Sequence, residues 1–198
     1  MKSNVVKIVN GTSDLSAILK ESEKVAVYNE LGHKQALHLR LICEEIDGML
    51  PNILGDFEGK LWIELEDGAC KVNVSILIPE LDVNKKEELI NLSRNGKNAA
   101  AVGIIGKIRS AIESFFLHEE AAGAYAASCG TFHLGSGFNE WVDYSYIWTL
   151  DQYRRQAREE TSVDWDELEK SVIASVADDV IVGVKGKQAD IVIVKNFK

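Results

Sequence analysis

The chain has 198 residues, 46% of them apolar and 27% charged, with a formal net charge of −9 at pH 7. That length and apolar content are enough for one domain with a substantial core, while the acidic balance repels nucleic-acid phosphates and anionic membrane surfaces. Cys43, Cys70 and Cys129 stand far apart with no CxxC pair, which argues against a disulfide framework and a thiolate zinc site.

No apolar run approaches the roughly 20 residues that span a bilayer, and the stretch MKSNVVKIVNGTSD has no signal-peptide core. A soluble, cytoplasmic protein is expected. Val5 to Val9 reads as a short strand closed by Asn10-Gly11. Thr12-Ser13-Asp14 then offers a helix start, Leu15, Ile18, Leu19 and Val25 have helical spacing, and Leu31-Gly32 marks a stop. A second helix is expected from about His33 to the early fifties.

The clearest local signal follows. KLWIELE and ACKVNVSILIP are alternating runs joined by Asp67-Gly68, the dipeptide that suits a tight type I′ hairpin. Leu61, Ile63 and Leu65 would share one sheet face, as would Val72, Val74, Ile76 and Ile78. Pro79 ends the second strand. A polar segment leads to a third helix in NAAAVGIIGKIRSAIESFF.

Residues 118–160 differ in character, rich first in Gly, Ala and Ser and then in aromatics. Eight of the fifteen aromatics fall between Tyr125 and Tyr153, and Trp141, Tyr144 and Trp148 would suit a helix. Asp164-Trp165-Asp166-Glu167 is a capping box for a helix running to about Ala177. DVIVGVK and QADIVIVKNF form a closing hairpin at Gly186-Lys187. The expected fold class is α+β: a two-layer sandwich with a mixed five-stranded sheet, helices on one face and a helical insertion. One domain over residues 1–198 is expected, with 118–160 inserted within it.

Within HLRLICEEIDGMLPNIL, residues 38–54, about 100° per residue gathers Leu39, Ile42, Ile46, Met49, Leu50 and Ile53 into an apolar stripe. Glu44 falls nearly opposite, in solvent. Glu45 lies at the stripe's edge, and His38, Glu45 and Asn52 line a polar seam there, with Pro51 working against helical regularity. On the plain reading Glu45 is a boundary residue wetted at its tip. On the sharper one it is a general base at a pocket rim.

The order strand, helix, helix with Glu-Glu, hairpin, glycine-bearing helix resembles the GHKL (histidine-kinase-like) ATPase fold over about residues 5–117. Bacterial anti-sigma-factor serine kinases are the most similar, and residues 179–197 resemble the family's last two strands. The resemblance implies ATP with magnesium as cofactor and Glu45 as the acidic base. Met49 stands where the family has a magnesium-holding asparagine, and a thioether is a poor ligand for that hard cation. Asn52, one turn on, is the available substitute. ILIPELDVNKKEEL holds no Asp-x-Gly-x-Gly box, and Asp82 is its weak stand-in.

RNGKNAAAVGIIGK places Gly96, Lys97 and Asn98 before a helix start, where backbone amides and a lysine can bind phosphate. Gly103 and Gly106 lie further along. Ala99, Gly103 and Gly106 also form a small-residue face suited to close packing, and the two readings stand side by side. His33 and His38 lack metal-ligand spacing, as do His118 and His133.

Three functions compete. The chain is a regulator of the anti-sigma-kinase kind that binds ATP and controls a regulatory protein partner, with a homodimer also expected. Alternatively it is a nucleotide-free interaction module of the same fold. The third reading is an unrelated α+β enzyme with its pocket under the aromatic segment.

Overall fold

The computed structural model describes residues 1–9, 15–54, 57–77, 108, 112, 146–159, 171–185 and 187–197. Its strands are β1 (Val6–Val9), β2 (Glu58–Glu66), β3 (Ala69–Leu77), β4 (Tyr146–Thr149), β5 (Asp179–Lys185) and β6 (Gln188–Asn196). Its helices are α1 (Leu15–Tyr28), α2 (His33–Leu54), α3 (Leu150–Glu159) and α4 (Val172–Val176). The fold is α+β, as expected. The sheet runs β1-β2-β3-β6-β5-β4, and every neighbouring pair is antiparallel.

Two expectations are corrected here. Among the described residues the sheet has six strands rather than five, and it is antiparallel rather than mixed. The added strand is β4, where Trp148 was expected on a helix; Tyr146–Thr149 instead pairs with β5, Trp148 opposite Val182. Its Tyr-Ile-Trp-Thr sequence is rich in the β-branched and aromatic residues that suit a strand. Trp141 and Tyr144 lie outside the described residues.

Register explains the core. Leu61, Val74, Ile191, Val182 and Trp148 stand side by side across five strands, and Ile63, Val72, Ile193 and Val180 form the next row. Apart from the partly buried Trp148, these residues are sealed from solvent, together with Ile18 and Val25 of α1, Leu39, Ile42 and Ile46 of α2, and Ile173 of α4. The helices therefore cover the face that the period-2 alternation made apolar. Ile108 and Ile112, the described residues of the third expected helix, are helical and buried in the same core.

Local chemistry sets the element ends. Asp67 (φ 50°) and Gly68 (φ 80°) both take positive φ at the β2–β3 turn, the requirement of a type I′ turn. α1 stops at Glu30, with φ 51°. Leu31 N–H donates to Ala26 O at 2.9 Å and Glu30 N–H to Val27 O at 3.2 Å, the bond pair of a Schellman ending. Gln35 Oε1 accepts the Gly32 amide at 2.9 Å at the start of α2. α2 then runs through Pro51 to Leu54. Ser171 is extended and its side chain caps α4, so no single helix runs from Asp164 to Ala177; residues 160–170 lie outside the described ones.

Candidate functional site

α2 carries the residues on which the functional reading turns. Leu39, Ile42, Ile46, Met49 and Leu50 of the expected stripe are each at most 2% exposed. Met49, at 1%, is a core residue packed with the sheet and helices. Its sulfur is thus held among hydrocarbon, where a divalent cation could be neither desolvated nor ligated by oxygen. At this position the residues present do not fit magnesium.

Glu45 is half-buried at the edge of the stripe, and no described residue bonds its carboxylate. Glu44 is the solvated partner of the pair, yet it also accepts Arg40 Nε at 2.9 Å. Arg40 reaches across to Glu23 of α1 as well. Asp47, on the opposite edge of the stripe, is half-buried, and burial raises its carboxyl above the usual carboxylate range. The adjacent glutamates therefore divide as their positions on the wheel dictate: one solvated in an ion pair, one unpaired at the core's edge.

The seam expected through His38, Glu45 and Asn52 gains members from the sheet. Burial pushes the His38 imidazole below its ordinary range, the Lys195 and Lys34 charges push it further, and Asp178 opposes them. Lys195 Nζ donates to Asp178 Oδ1 at 2.9 Å, and Asp178 Oδ2 accepts the Asn196 amide at 2.6 Å. Sequence reasoning singled out neither Lys195 nor Asp178. One signal was available: Lys195 breaks the inward run Ala189, Ile191, Ile193 of β6, in register with Cys70.

Asn52 falls on α2, its side chain outside what is described, and Gly96, Lys97, Asn98, Gly103 and Gly106 also lie outside the described residues. The candidate nucleotide residues are thus represented by Glu45 alone. Among the described residues, no group of three or more His, Cys, Asp or Glu is placed to hold a metal ion, and no helix is long and apolar enough to cross a membrane. Cys43 and Cys70 are free thiols in the core, both raised by burial, Cys70 to about 12, and such thiols are inert. What α2 presents among the described residues is a closed apolar face with two half-buried carboxylates, Glu45 and Asp47, at its two margins.

No protein-family model matches this chain, and no curated protein or solved structure matches it significantly.

Proposed function

We propose that this chain is a regulatory protein that acts by binding another protein, built on a histidine-kinase-like sandwich but without magnesium-ATP chemistry. One observation carries the reading: Met49, 1% exposed, sits where the resembled family places its magnesium-holding asparagine. Replacing an oxygen ligand by a core thioether removes the cation that would neutralise the phosphates. The side chain also contributes to packing, so the position serves stability. Val27 and Tyr28, about three-quarters exposed at the end of α1, leave apolar surface of the kind that partners cover.

Glu45 favours a second reading. An unpaired, half-buried carboxylate at the edge of α2 suits a retained general base, as in an ATP-binding regulator of the anti-sigma-kinase kind. Calorimetric titration with ATP and with ADP, each with and without magnesium, separates the two. Absence of heat at millimolar nucleotide supports the interaction module. Saturable magnesium-dependent binding at micromolar concentration, about −8 kcal/mol, overturns it in favour of the second.

A further inference from the structure

The sheet face away from the core cluster carries Lys7, Lys60, Ser75 and Asp190 as neighbours across β1, β2, β3 and β6. A groove of about 550 Å³ opens there, within the roughly 300–1,000 Å³ typical of small-molecule sites. Val5 and Leu77 line it, each more than half exposed.

Two lysines directly opposite one another on neighbouring strands repel. Lys7 is relieved by its ion pair with Glu58. Lys60 has no such partner among the described residues, so its ammonium stands in the groove uncompensated. Beside it, Ser75 Oγ accepts Gln188 Nε2 at 3.2 Å, and its hydroxyl proton has no acceptor among the described residues. Gln188 Nε2 also donates to Asp190 Oδ1 at 3.0 Å and Oδ2 at 2.9 Å. Glu58, which also lines the groove, is engaged by Lys7, and Asp190, held by Gln188, is only 8% exposed. An unpaired cation and a spare hydroxyl donor thus lie between two apolar side chains, Val5 on one side and Leu77 on the other, in one opening that the Lys7–Glu58 ion pair also lines.

We infer that this groove binds a small amphiphilic carboxylate, with Lys60 and Ser75 taking the carboxylate and Val5 and Leu77 the apolar body. The site lies on the sheet face opposite α2, so it is independent of whether nucleotide binds beside Glu45. Ion pairing and apolar burial act together here, and neither half of the ligand suffices by itself.

The test is calorimetry of the full chain with octanoate, acetate and 1-octanol. Octanoate is expected to bind saturably, and at least about tenfold more tightly than either of the others. Lys60→Met should weaken octanoate by about tenfold, Ser75→Ala by less, and Lys71→Met, a charge lost from the same face outside the groove, should leave it unchanged. Absence of saturable octanoate binding overturns the inference. So do 1-octanol binding as tight as octanoate, and undiminished binding by Lys60→Met.

Discussion

The carboxylate of Glu21 accepts the backbone amide of Asn4 at 3.1 Å and the side-chain amide of the same residue at 3.2 Å. Glu21 lies three residues after Ile18 and four before Val25, on the buried side of α1, and is only 7% exposed. A charge so placed needs partners, and Lys24 joins Asn4 in supplying them. The contact ties the segment before β1 to the helix layer. Glu21→Ala should cost about 1.5–3 kcal/mol of stability, as expected for hydrogen bonds to a charged group, read by urea unfolding. Burial acts to raise the Glu21 carboxyl, but the bonds from Lys24 and Asn4 outweigh it and hold it below its ordinary value of 4.5. Its contribution is therefore present above pH 4.5 and lost as pH falls through the lowered folded value. In Glu21→Gln that part of the acid sensitivity should vanish.

Met49→Asn introduces the residue type that the resembled family uses at this position. Because Met49 is enclosed in the core, the change should cost about 3 kcal/mol through lost packing and a buried amide. No magnesium affinity should appear. A variant of unchanged stability that binds magnesium-ATP would show that α2 opens at this point.

Glu30 takes φ 51° at the end of α1, a conformation costly for a side-chain-bearing residue. The Schellman bonds of Leu31 and Glu30 hold it there. Glu30→Gly should raise stability by about 1 kcal/mol, seen as a higher thermal midpoint. A decrease would mean that the Glu30 side chain makes a compensating interaction.

His38 should make stability depend on pH near neutrality. Burial first, and then the positive charges of Lys195 and Lys34, lower its proton affinity from the ordinary 6.5. The unfolded chain thus binds the proton more readily than the folded one. Stability should fall as pH drops below 6.5 and level off beneath the lowered folded value. Urea midpoints measured from pH 8 to 5 should show this slope in the parent chain and a flatter one in His38→Gln.

Features set by neighbouring residues were legible in the sequence. Alternation in KLWIELE and ACKVNVSIL, joined by Asp67-Gly68, is enough to define a hairpin and its buried face, because both the turn and the pleat are local. The helical spacing of Leu39, Ile42, Ile46, Met49 and Leu50 likewise defined which side of α2 is sealed. Partnership between distant segments was decided only in the tertiary structure. The aromatic pattern around Trp148 suits a helix by itself, but the free edge of β5 offers backbone hydrogen bonds that draw Tyr146–Thr149 into the sheet. Likewise, Lys195 and Asp178 come together beside α2, and Lys60 faces Lys7, only through strand register. A period of two or 3.6 along the chain says which way a residue points; what it meets there depends on loops closing over tens of residues, which local preference does not encode.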